Sequence, residues 1–95
     1  MADRETVRQR VRSLIASIAA GKRSVRLSDI ERVMNQLTLL GHTVTKKGDN
    51  QHFRYVVDEL PVFYVCEHHR GNSYIKKGYV DVFLDRMTDL ELHED

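Results

Sequence analysis

The sequence is poor in the features that would signal covalent stapling or a membrane segment: it has one cysteine, one proline and no tryptophan. Cys66 cannot form an internal bridge, and a secreted domain of this size usually carries several cysteines, so a reducing, cytoplasmic setting is expected. No stretch reaches the roughly 18 consecutive apolar residues that a membrane span requires, so no membrane association is expected. Met1 to Ala20 lacks the apolar run of a signal peptide, and Asp3 and Glu5 set it apart from acid-poor mitochondrial presequences. Internal repeats and low-complexity segments are also lacking.

What remains is ordinary globular material, with 95 residues, 41% hydrophobic and 31% charged, enough for one domain and too short for two. The net charge of +1 hides an asymmetry. Residues 1–27 carry seven Lys/Arg against two Asp/Glu, a balance of +5, whereas residues 28–95 carry eight against twelve, a balance of −4. A positive N-terminal segment suits phosphate or an acidic protein partner, although a solvated helix face with nothing bound is the commoner origin of such a charge.

From Arg4 to Ala20, Val7, Val11, Leu14, Ile15 and Ile18 follow the spacing of one helical face, with Asp3 as cap and Gly21 as stop. Arg4, Arg8 and Arg12 form a basic flank, and Lys22 to Arg26 reads as a linker. A second helix is marked by the capping-box spacing of Ser28 and Glu31, by the stripe Ile30, Val33, Met34, Leu37 and Leu40, and by Gly41 as its left-handed stop. The period then becomes two, predicting strands at His42–Lys47, Gln51–Val57 and Val62–Glu67. Turns are expected at Lys47 to Asn50 and at Asp58 to Pro61. A last helix is expected over Gly78–Leu90, with Val80, Phe83, Leu84, Met87 and Leu90 inward and Asp81, Asp85 and Asp89 as an acidic ridge. These elements predict an α+β fold: two helices around a three-stranded antiparallel meander over 28–95, with an additional basic helix in 1–27.

Alternation in the middle strand directs Phe53, Tyr55 and Val57 toward the helices and His52, Arg54 and Val56 away from them. An imidazole titrates near neutrality, and RNA supplies its own nucleophile in the 2′-hydroxyl, so one base and one phosphate clamp suffice for cleavage without a metal. His52 beside Arg54 is the minimal pair of that kind; an exposed strand histidine is also a common, functionally silent residue. His68 and His69 are candidates for a partner acid or a further phosphate contact, or for plain loop polarity. Lys76 and Lys77, just before the last helix, and Lys46 and Lys47, at the hairpin, are candidate phosphate contacts or solubilising charges. Tyr64 and Tyr74 have the chemistry to stack on bases, and Tyr64 equally fits a core. Cys66-x-His68 lacks a second Cys/His pair at zinc spacing, so no metal or other cofactor is expected, and Cys66 reads as a small buried apolar residue.

Helix, three-stranded meander, helix is the order of the double-stranded-RNA-binding fold, and residues 28–90 resemble the HicA-type toxins, mRNA-cleaving partners of HicB antitoxins. Three stretches carry the resemblance. Leu40-Gly41-His42-Thr43-Val44 leading to Gly48-Asp49-Asn50-Gln51-His52-Phe53-Arg54-Tyr55 is similar to the family's helix-end glycine, strand and Gly-Ser-x-His hairpin; Val65-Cys66-Glu67-His68 is similar to its Val-Pro-x-His; Ile75-Lys76-Lys77-Gly78 is similar to its Ile-Lys-Pro-Gly. The chain departs from the pattern in Asp49 for serine, in one extra residue before His52, in His42 at an aromatic position, and in Cys66 and Lys77 for prolines. The resemblance implies a catalytic His52, a turn at Gly48, an RNA-facing Lys76, and an mRNA substrate with a HicB-like antitoxin partner. Two other readings use the same residues: an RNA-binding module without chemistry, and a protein-interaction domain that self-associates, or binds an antitoxin, through Val7, Val11 and Leu14.

Overall fold

The first helix, α1 (Arg4–Ala20), has the bounds that its sequence predicts. Asp3 caps it, its carboxylate accepting the Thr6 N–H at 2.9 Å, and the Gly21 N–H closes on Ser17 and Ile18 carbonyls. A computed structural model describes residues 3–49, 52–66 and 74–94, with only the backbone of Asp49. After a 3-10 turn at Lys22–Ser24 come α2 (Leu27–Leu39), β1 (Val44–Asp49), β2 (His52–Val57), β3 (Phe63–Cys66) and α3 (Lys77–Asp89). The strands form one antiparallel sheet in the order β1-β2-β3, so the fold is α+β with an α-β-β-β-α order behind an additional N-terminal helix.

Several boundaries differ from the expected ones. α2 starts two residues early, with Arg26 as N-cap, its N–H donating to the Asp29 carboxylate at 2.9 Å in place of the expected pairing of Ser28 and Glu31. Its stop is the expected one: Gly41 adopts φ +97, and the His42 N–H returns to the Leu37 carbonyl at 3.1 Å. β1 runs on through Lys47, Gly48 and Asp49, the last two pairing with Phe53 and His52, where a turn was expected from Lys47 onward; Asn50, the end of that expected turn, lies outside the described residues. α3 begins at Lys77 rather than Gly78.

All three helices serve one core. Val7, Val11, Ile15 and Ile18 of α1 are buried in the same cluster as Ile30 and Leu37 of α2, Tyr55 and Phe63 of the sheet, and Phe83 and Met87 of α3. The Tyr55 and Phe63 rings stack at 5.5 Å, and Phe83 meets Phe63 at 6.0 Å, which anchors α3 over β2 and β3. Val7 and Val11, read above as a surface for self-association or an antitoxin, are 5% and 0% exposed because α2 and α3 already cover them. Arg8 and Arg12, read as a basic flank, both donate to the Glu91 carbonyl just past α3, at 3.3 and 2.8 Å, where the negative end of that helix favours cations. Among the described residues, no helix is long and apolar enough to cross a membrane.

Candidate nucleic-acid interface

The register of the sheet decides which side chains share a face. Opposed residues in an antiparallel ladder point to the same side, so the pairs Lys46↔Tyr55↔Phe63 and Gly48↔Phe53↔Val65 face the helices. The alternate pairs, Lys47↔Arg54↔Tyr64 and His52↔Cys66, point to the opposite face, where Lys47, Arg54, Tyr64 and His52 are exposed and Cys66 is buried beside the start of α3. Burial follows this parity in β2, where Tyr55 and Val57 are buried, Phe53 is partly buried, and His52 and Arg54 are exposed.

The rung of Lys47, Arg54 and Tyr64 joins two cations to an exposed ring. Tyr64 is 51% exposed, which makes it a surface aromatic rather than part of the core. Lys47 and Arg54 are exposed and form no ion pair among the described residues, so their charge is directed to solvent. Lys46, expected among the phosphate contacts, lies on the opposite face: its ammonium bonds the Glu31 carboxylate of α2 at 2.9 Å and sits 4.2 Å from the centre of the Phe53 ring. That contact with Glu31 is the main cause of its raised pKa. Lys46 thus closes the β1 edge against α2 and does not belong to the surface that carries His52.

His52 occupies the neighbouring rung, roughly 7 Å along the strand from Arg54. Its Nδ1 is 3.3 Å from Sγ of Cys66. Cys66 is buried as expected, but beside His52 rather than in the apolar core. Tyr79, on the first turn of α3, shares a hydrogen bond with Cys66, and its pKa is raised first by that bond, then by the charge the thiol gains on ionisation and by burial. The backbone N–H of Lys76 donates to the Cys66 carbonyl at 3.3 Å, which brings the N-cap of α3 alongside this rung. Segment 74–76 is held in turn by Ile75 N–H to the Val25 carbonyl at 2.7 Å and by the Arg26↔Tyr74 bridge. Lys77 points elsewhere, pairing with Asp81 at 3.0 Å, and Asp81 also pairs with Lys22 at 2.9 Å, so part of the acidic ridge is neutralised. Both contacts depress the Asp81 carboxyl pKa, Lys22 more than Lys77.

Gly48 fixes how β1 meets His52. At φ +125 it lies where side chains are rarely tolerated, and a Cβ there would overlap the carbonyl oxygen of His52. Its part is therefore steric: it lets the two strands close at the histidine. Sequence reasoning brought His52, Arg54, Lys47 and Gly48 to one hairpin, missed Tyr79, and also missed the ion pair of His42 Nδ1 with Asp58 at 2.6 Å, which ties the start of β1 to the β2–β3 turn. His68 and His69 lie outside the described residues. Among the described residues there is no group of three His, Cys, Asp or Glu side chains able to hold a metal ion. The chain matches no family model, no curated protein and no solved structure.

Proposed function

We propose that this protein is a cytoplasmic RNA-binding and RNA-cleaving toxin of the HicA kind, working through the exposed face of its sheet and restrained in the cell by a HicB-like antitoxin. The observation that carries the reading is the pairing of two adjacent rungs: His52 on one, Lys47, Arg54 and the exposed Tyr64 on the other. Cations oriented to solvent suit phosphates, a surface tyrosine suits an unstacked base, and an imidazole suits proton transfer at neutral pH.

In the proposed reaction a strand of mRNA lies across β1 to β3 with a phosphate at Arg54 and Lys76. His52 removes the 2′-hydroxyl proton, the resulting oxyanion attacks the adjacent phosphorus, and the bond to the 5′-oxygen breaks. The leaving oxygen takes up a proton from water, and the products are a 2′,3′-cyclic phosphate and a 5′-hydroxyl fragment. Arg54 offsets the charge that grows on the phosphoryl oxygens. The nucleophile is internal to the substrate, so this chemistry needs no metal to generate it.

The test is incubation of purified protein with mRNA in excess chelator, beside His52→Ala. Cyclic-phosphate ends with the wild type and intact RNA with the variant are expected; equal cleavage by both refutes the assignment. A second reading, RNA binding without chemistry, is favoured by the Lys47, Arg54 and Tyr64 rung, which needs no histidine to hold RNA. It predicts salt-sensitive binding, intact RNA and no effect of His52→Ala on affinity.

A further inference from the structure

Among the described residues, the hydroxyl of Tyr55 is the one buried side-chain polar atom without a hydrogen-bond partner, although its ring is packed on Phe63 and is 1% exposed. A buried donor left in that state is costly, so native proteins rarely keep one without a use for it. Burial raises the phenol's pKa, so the oxygen keeps its proton; Lys46 lowers that pKa and Glu31 raises it. Both charges line a crevice that Tyr55 also lines, which sets the hydroxyl at its wall. Lys46 can only donate, so whatever it gives the phenol oxygen, the phenol proton still lacks an acceptor.

The crevice runs between α2 and β1 on the helix side of the sheet, walled by Met34, Asn35 and Thr38 of α2, Val44 of β1, and Tyr55. Its volume of about 250 Å³ is several times the roughly 30 Å³ share of one water and falls below the roughly 300–1,000 Å³ of drug-sized sites. Lys46 and Glu31 bond each other at 2.9 Å, so the lining carries no net charge and offers no unpaired cation to a phosphate. Asn35 is exposed, and its carboxamide makes no hydrogen bond among the described residues. Thr38 donates to the Met34 carbonyl at 3.2 Å, while Met34 and Val44 add apolar surface. A charged ligand would have to split the ion pair, whereas a flat, uncharged one finds a donor, an amide and apolar walls in place.

We propose that this crevice binds an uncharged heterocycle of nucleobase size, adenine being the best match, with the Tyr55 O–H donating to a ring nitrogen and the Asn35 carboxamide pairing with the adjacent amino group and a second ring nitrogen. Adenine presents acceptor, donor and acceptor in succession along one edge, and an asparagine carboxamide pairs with such an edge through two hydrogen bonds. The site faces away from His52, Arg54 and Tyr64 and does not rest on the ribonuclease reading.

The experiment is titration of the ¹⁵N-labelled full chain with adenine, followed by amide chemical shifts, beside Tyr55→Phe and Asn35→Ala. Saturable shifts are expected at Asn35, Thr38, Val44 and Lys46, half-complete at about 1 mM or below, which a ligand of about ten heavy atoms reaches at modest efficiency. Tyr55→Phe removes only the hydroxyl. It is expected to leave the urea midpoint of the free protein unchanged or raised, because no hydrogen bond is lost, and to weaken adenine binding roughly five-fold. Asn35→Ala, at an exposed position, is expected to weaken it by a similar factor. Adenosine 5′-monophosphate is expected to bind no more tightly than adenine. Absence of saturable shifts at these amides, equal affinity in either variant and the wild type, or tighter binding of the monophosphate overturns the proposal. So does a lower urea midpoint in Tyr55→Phe, since the hydroxyl would then already be served by bound water.

Discussion

Replacing Ile15 by alanine tests whether α1 is part of the fold or an attachment to it. Ile15 is 0% exposed and lies in the shared core with α2 and α3. The substitution removes three buried carbons, which at about 0.8 kcal/mol each amounts to about 2.4 kcal/mol of transfer free energy. The cavity left behind adds to that, because neighbours relax only partly, bringing the expected loss to roughly 3–4 kcal/mol. A domain of this length is held by roughly 5–14 kcal/mol in total, so the change removes a large fraction of it and lowers Tm by roughly 12–30 °C. Urea titration followed by circular dichroism measures the loss, with Arg4→Ala, exposed on the same helix, as a control expected within about 0.5 kcal/mol of wild type. A loss under about 1 kcal/mol, or an early separate transition for one helix, would refute the argument that α1 belongs to the core.

Three further outcomes follow from the sheet. Gly48→Ala should destabilise the protein by about 1–3 kcal/mol, since alanine is strained at φ +125, and should also slow RNA cleavage by displacing the His52 backbone; unchanged urea midpoint and unchanged cleavage would contradict the steric role. Lys47→Ala should weaken RNA binding across sequences and reduce the slope of log affinity against log salt by about one, read by fluorescence anisotropy, whereas Lys46→Ala should leave that slope unchanged. The Asp58 carboxyl is held below the usual carboxylate range, first by the Thr43 N–H at 2.8 Å and then by His42. A depressed folded-state pKa contributes stability above the unfolded value of about 4, lost as pH falls through the folded value. Asp58→Asn should therefore cost stability at neutral pH, less than about 1 kcal/mol because the pair is solvent-screened, and nothing once the acid is fully protonated, as denaturation curves at both pH values would record.

Local chemistry was legible where it acts locally. The bounds of α1 follow from Asp3 and Gly21, the stop of α2 from Gly41, and the outward orientation of His52 and Arg54 from alternation alone. What escaped depends on register and on contacts distant in sequence. Lys46 and Lys47 are equivalent as letters, and only the pairing of Lys46 with Tyr55 separates the lysine facing α2 from the lysine facing solvent. Cys66 looks like a filler until β3 is set against β2, since a shift of one residue would have turned it from the histidine. The start of α2 lies at Arg26, whose N–H is taken locally by Asp29 while Val25 and Arg26 are also engaged by Ile75 and Tyr74, some fifty residues on by the numbering, a contact that local pattern does not carry.

The hold of Arg8 and Arg12 on the Glu91 carbonyl couples the first helix to the end of α3, some eighty residues on by the numbering. Loosening one therefore loosens the other, so hydrogen exchange in the two helices should report a shared opening.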